Sequence, residues 1–136
     1  VSIAEELVRV KQILDAAEID VTITGNDVST LNIPTLSESV IAMCLKEAVN
    51  NVVKHSKANH CLISITQSNN EVQLIVYDDG VGFNTELRHA GNGLIGMRER
   101  LEFINGTLEI NQKKVGTELI VHVPVAITHQ KRSGKE

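Results

Sequence analysis

Glu47, Asn51 and Lys54 follow one another at spacings of four and three residues in an apolar-rich stretch, so on a helix they share a face. At about 100° per residue the three fall within about 60° of one another, and the stripe Ile41, Leu45, Ala48 and Val52 is centred roughly 120° away. One face packs, and a different face carries an acid, an amide and a cation. A carboxamide oxygen suits Mg²⁺, which takes oxygen ligands and keeps several waters, while a nearby lysine balances phosphate charge. A solvated helix face accounts for any one of these residues alone. Asn51 weakens that account, because asparagine is a poor mid-helix residue and Asn50 stands beside it.

Two further segments carry candidate chemistry. In LIVYDDGVGF, residues 74–83, Asp78 stands at the end of a buried-looking strand, and Gly80 and Gly82 leave room for a ligand to approach the backbone. A carboxylate held there accepts a hydrogen bond from an exocyclic amino group, although Asp-Gly also makes ordinary tight turns. In GNGLIGMRER, residues 91–100, the glycines at 91, 93 and 96 spell the dinucleotide fingerprint. That fingerprint needs a hydrophobic strand before it, and the preceding Asn84–Ala90 is polar and mixed in charge. These glycines therefore read as the end of a loop and the start of a helix, whose free N–H groups suit phosphate.

The elements that must hold these residues follow from periodicity. Ile3, Leu7, Val10 and Leu14 predict a helix over 3–18, and alternation predicts a strand over 19–24. A long helix is expected over 36–56, capped by Ser37 or Thr35. Strands are expected at 61–67 and 71–77, joined by Ser68, Asn69 and Asn70, and at 107–112 and 117–124. A further helix runs from Leu94 to Phe103 or Ile104, burying Leu94, Met97 and Leu101, and Asn105–Gly106 stops it. Helices alternating with hairpins give an α/β (α+β) two-layer sandwich, a mixed, mostly antiparallel sheet with helices on one face.

Composition narrows the function classes. The 136 residues suffice for one domain that buries about two-thirds of its unfolded surface. Formal charge is −4, and His129–Glu136 carries three basic residues and one acid, which leaves −6 elsewhere. Nucleic-acid binders show the reverse balance, and three aromatics (Tyr77, Phe83, Phe103) offer little base stacking. Cys44 and Cys61 make no metal spacing and read as buried thiols in a reducing compartment. No apolar run is long enough to span a bilayer, and Val1 opens no signal peptide. Because the sequence starts directly in a helix-like pattern, it is expected to be a portion of a longer protein. The expected division is a domain over 1–126 and a flexible tail over 127–136.

The ordered set ExxxNxxKH (Glu47, Asn51, Lys54, His55), DxGxG (Asp78, Gly80, Gly82), GNGLIGMRER, and Gly116–Thr117 resembles the ATP-binding domain shared by gyrase, the Hsp90 chaperone, histidine kinases and MutL. Motifs carry the likeness over 36–124. The KHS after the asparagine, the short lid over 83–92 and the phrase GMRERL are most similar to DesK-like sensor histidine kinases, partners of NarL-type regulators. A strand ending in two acids also resembles the Mg²⁺ pocket of response-regulator receiver domains. Those place the pair near the N-terminus, whereas here only 57 residues follow Asp79.

The resemblance implies a Bergerat-type fold that binds ATP and Mg²⁺. By it, Asn51 ligates the metal, Asp78 recognises the adenine amino group, Gly80 and Gly82 shape that pocket, and Thr117 lies beside Asp78. Lys54 and His55 match positions near ribose and phosphate; His55 reads equally well as a structural helix-end residue. Gly91, Asn92, Gly93 and Leu94 match the segment that receives phosphates. Glu47 matches the acid that orients the nucleophile. Arg98 and Arg100 are expected in solvent or against another domain. In DesK-like kinases the acceptor is a histidine on a separate dimerisation domain, and none of the five histidines here stands in such a helix. The implied protein is the catalytic part of a membrane-anchored sensor, working in the cytoplasm, passing phosphate through that domain to a response regulator. This domain itself is expected to touch neither membrane nor nucleic acid. Two alternatives of other classes are an anti-sigma-factor-type serine kinase that chiefly binds a protein, which would carry a longer lid, and a free-standing ATPase, which would carry a transducer domain.

Overall fold

The computed structural model describes residues 2–81 and 92–125; the remaining lid positions and the tail lie outside the described residues. Helix α1 spans Ile3–Ala16, followed by β1 (Asp20–Gly25), a short turn of 3₁₀ helix (Val28–Thr30) and α2 (Thr35–Asn51). Then come β2 (His60–Gln67), β3 (Glu71–Asp78), α3 (Asn92–Glu102), β4 (Thr107–Gln112) and β5 (Thr117–Pro124). The strands form a five-stranded sheet in the order β1-β2-β3-β5-β4. Strands β1 and β2 run parallel, and the other three pairings are antiparallel.

Each element begins or ends for a local reason. Ser2 caps α1 by accepting from the Glu5 N–H at 3.0 Å, and the Glu5 side chain accepts from the Ser2 N–H at 3.3 Å. The helix stops two residues short of the expected end, where Glu18 turns left-handed and the Ile19 N–H reaches the Leu14 carbonyl at 2.9 Å. The expectation that Ser37 or Thr35 caps α2 is corrected. Pro34 holds the N-cap position without a side-chain bond, its carbonyl accepts from the Glu38 N–H at 2.9 Å, and Ser37 is buried. At the end of α3, Asn105 is left-handed as expected, and the Gly106 N–H bonds the Leu101 carbonyl at 2.7 Å.

Helix α2 buries more than the stripe read from sequence: Val40, Ala42, Cys44 and Val49 join Ile41, Leu45 and Ala48. The physical reason is its central place, since it packs on α1, α3, β3 and β5. Glu38 also ties the helix layer together by accepting from the Ile3 N–H at 2.9 Å. Strand alternation sends Ile63, Ile65, Val72, Leu74, Val76, Leu119, Val121 and Val123 into the core with the buried faces of the helices. On the partly exposed side of the sheet His122 bridges two carboxylates, with Nδ1 3.1 Å from Glu71 and Nε2 3.5 Å from Glu109. Both cysteines are buried free thiols, and burial pushes each up to about 12.

Helix α3 buries Leu94, Met97 and Leu101, while Phe103, just past its end, is 85% exposed. Leu101→Ala is expected to cost about 2–5 kcal/mol in urea unfolding, whereas Phe103→Ala stays within about 0.5 kcal/mol. Equal costs would contradict this packing.

Candidate nucleotide site

The regular helix of α2 ends at Asn51, and Val52–Ser56 form a wider π-helical turn before Lys57 goes left-handed. The wider turn advances by fewer degrees per residue, so the even 100° spacing that put Lys54 beside Glu47 and Asn51 fails there. Lys54 and His55 are both exposed. Ser56, the last residue of the turn, is buried and donates its hydroxyl to the Val52 carbonyl at 2.7 Å. Its own carbonyl takes the Val81 N–H at 2.6 Å. A Cβ on Gly80 would lie 2.0 Å from that carbonyl oxygen. The turn that ends at Ser56 therefore itself requires a glycine at 80, a reason internal to the fold that stands beside the one read from sequence. Gly82 lies outside the described residues.

Asp78 closes β3, is 3% exposed, and accepts from the Gly80 N–H at 3.0 Å. Thr117 pairs with it across β3 and β5 and is equally buried. Gly116, at φ 85°, brings the β4–β5 turn so close that a Cβ there would sit 1.8 Å from the Asp78 carbonyl oxygen. Asp78 and Thr117 line a narrow cleft, water-sized at about 10 Å³, with Asn51 on the helix side. Its apolar walls are Ala48, Val52, Val76 and Leu119. Sequence reading put Ala48 and Val52 in the packing stripe; they serve the core and this wall at once.

Glu47 is half-buried one turn before Asn51, and a Cβ on Gly93 would lie 2.6 Å from its Oε1. The first turn of α3 thus lies against the Glu47 carboxylate. Leu94 is buried in the core. Asn92 opens α3, and Gly91 lies outside the described residues. Arg98 donates to the Leu108 carbonyl on β4 at 3.1 Å, so one arginine of GMRERL braces an edge strand. Asp79, read from sequence only as part of an acid pair, accepts from the Asn59 and His60 N–H groups at 2.9 Å each. The His60 backbone bond above all holds its carboxyl below the usual range. The local signal, an acid directly after a strand, does not reveal partners 19 and 20 residues earlier.

Residues 36–127 match the family of histidine kinase-, DNA gyrase B- and HSP90-like ATPases. The chain belongs to that family. The sensor histidine kinase DesK of Bacillus subtilis is 46% identical over 125 residues, which cover 91% of this chain and 33% of that protein. YvfT of the same species is 40% identical over 92% of this chain and 33% of its own length. The chain thus spans about a third of these curated relatives. The DesK-like resemblance read from KHS and GMRERL agrees with them. In fold, the catalytic domain of the histidine kinase ThkA superposes with a TM-score of 0.75 at 19% identity, covering 90% of this chain and 88% of that one. The histidine kinase domain of a blue-light activated kinase from Erythrobacter litoralis gives 0.72 at 18%, covering 90% and 60%. The two-layer architecture expected from sequence is therefore that of histidine kinase catalytic domains. Among the described residues no helix is long and apolar enough to cross a membrane.

Asp79 has a lowered pKa, so its contribution to stability is present above the unfolded value near 3.9 and is lost as pH falls through the folded one. Asp79→Asn should cost about 0.5–1 kcal/mol at pH 7, a figure reduced for solvent screening. The deficit should shrink in denaturation series taken below about pH 4. A deficit that grows with acid would show the sign to be wrong.

Proposed function

We propose that this chain is the ATP-binding catalytic domain of a sensor histidine kinase, which donates the γ-phosphate of Mg²⁺-ATP to a histidine on a separate dimerisation domain. The observation that carries this reading is the convergence of Asn51 from α2, Asp78 from β3 and Thr117 from β5 on one cleft. Three motifs far apart in sequence meet at one narrow cleft, and its few polar groups among aliphatic side chains are the residue types that line a base-binding pocket. The sensor kinases related across nearly the whole of this sequence favour phosphotransfer to histidine over the serine-kinase and free ATPase readings.

In this reading the Asp78 carboxylate accepts from the adenine amino group and Thr117 supports it. Phosphates meet the backbone N–H groups of Asn92, Gly93 and Leu94 at the start of α3, where the helix dipole favours anions, and Gly91 joins them by the family resemblance. The residues present fit Mg²⁺: the Asn51 carboxamide and the Glu47 carboxylate stand one turn apart on α2, an oxygen set that leaves room for waters and phosphate oxygens. Mg²⁺ when bound neutralises charge developing on the transferred phosphoryl group. Glu47 orients the incoming imidazole, and Lys54 and His55 serve ribose and phosphate from the end of α2. Positioning and charge neutralisation carry most of such a reaction, so Asn51 matters more than any one lid glycine. The partners proposed are the dimerisation domain and, through it, a response regulator, in a protein anchored in the membrane with this domain in the cytoplasm.

Calorimetric titration with Mg²⁺-ATP should show binding by the wild type and at least a tenfold loss in Asp78→Ala, about the effect of removing a charged hydrogen bond. Asn51→Ala should lose the Mg²⁺-dependent part of the affinity. No wild-type binding at millimolar ATP would sink the proposal. Mixed with a separately made histidine-bearing helical domain, the chain should label histidine; label on serine instead would support the anti-sigma-type alternative.

A further inference from the structure

Gly93 and Gly96 stand three residues apart in α3 and so share a face of that helix. Among the described residues, a Cβ on Gly93 would meet only Glu47, with Oε1 at 2.6 Å, and a Cβ on Gly96 would meet only the Arg100 guanidinium, with Nη1 at 3.3 Å. The two absent side chains leave a bare strip along α3. A carboxylate reaching over from α2 lies on its first half, and a guanidinium folded back along its own helix lies on the second. Positions three apart on a helix are about 5–6 Å from each other, so the two opposite charges stand about one turn apart.

Among the described residues neither of these side chains makes a hydrogen bond or an ion pair with another group. Glu47 is half-buried and Arg100 is exposed. The neighbouring cations are engaged or displaced: Arg98 donates to the Leu108 carbonyl, and the wider turn takes Lys54 out of even spacing with Glu47. The buried Cys44 thiol, one turn before Glu47 on α2, feels both charges. Burial pushes it up to about 12, Arg100 acts against that rise, and Glu47 adds to it. Arg100 therefore reaches into the seam between α2 and α3, where Glu47 also stands.

We propose that Arg100 is a positioning residue for Glu47, drawing the carboxylate to the α3 side of the seam and fixing its direction for phosphotransfer. The proposal rests on reading Glu47 as the acid that orients the incoming imidazole. A glutamate side chain has several rotatable bonds, so an unsteered carboxylate faces the imidazole only for a fraction of the time. Drawn toward the guanidinium by one oxygen, it presents the other in one direction before the histidine arrives. Arg100 itself touches neither ATP nor the histidine. Its loss therefore slows transfer from bound ATP and leaves nucleotide affinity in place.

The test measures histidine labelling of a separately made helical domain, at saturating labelled Mg²⁺-ATP and saturating acceptor, beside calorimetric ATP affinity on the whole chain. Arg100→Ala should lower the labelling rate about fivefold, the upper end for a part-exposed charge pair, with affinity within about twofold of the wild type. Arg100→Lys keeps the charge and should recover most of the lost rate. In a Glu47→Gln background, Arg100→Ala should change the remaining rate by less than about twofold, because the carboxylate it steers is gone. Melting temperatures of the Arg100 variants should match that of the wild type. An unchanged rate in Arg100→Ala, with histidine still labelled by the wild type, overturns the inference and leaves the kinase reading intact. An equal fivefold loss in the Glu47→Gln background overturns it too, since Arg100 would then serve the acceptor domain or the nucleotide directly. So does an ATP affinity that falls in step with the rate. A wild type that binds ATP and labels no histidine overturns the phosphotransfer reading and this inference together.

Discussion

The site depends on the bond between the Ser56 carbonyl and the Val81 N–H, at 2.6 Å, made where the π-helical turn meets the loop leaving β3. Asn51 and Asp78 belong to different layers, and that contact, with the bonds from Asn59 and His60 to Asp79, ties the chain leaving the helix to the end of β3. It forms because residue 80 lacks a side chain and because the widened turn carries the carbonyl outward to meet the loop. Ser56 strengthens it from behind: its hydroxyl donates to Val52 and accepts from the Ala58 N–H at 3.1 Å, so the polar groups of this buried end are satisfied locally. A regular helix through residue 56 would present a different carbonyl, and the distance across the cleft would change.

Much of this was readable from the residues. Alternation found all five strands to within a residue or so, because β2, β3 and β5 bury every second side chain and polar positions separate them. The apolar stripe found α2, and Asn105–Gly106 found the end of α3. What escaped has a common cause. The widened turn at Val52–Ser56, whose last carbonyl meets Val81, the clasp of Asp79 on β2 and the parallel pairing of β1 all involve partners distant in sequence. Local spacing carries no record of them. Two local features were passed over as well: the Pro34 start of α2, and the capping box at Ser2 and Glu5, whose spelling was present.

The candidate site was legible as a set of types rather than as a geometry. Asn51 and Asp78 stood out for their chemistry and Thr117 through the family resemblance, and all three line one cleft. Gly80 stood out as a point of close approach, and the approach the structure shows is that of the Ser56 carbonyl, which local sequence does not name.

Cys61, Asp78, Thr117 and Gln112 pair in one row across the end of the sheet, and that row bears on how such a domain drifts over time. Side chains on a strand alternate between faces, so the row is complete only while β4 and β5 keep their offset, and only four residues, 113–116, separate the two. Eight pairs with β3 hold β5 in place, so one residue gained or lost in that turn would fall on the edge strand β4 and turn residue 112, not Thr117, to the other face in a single step. Length at this turn is therefore closed to gradual change, and variation in what the cleft admits has to arrive by exchanging side chains within a fixed frame.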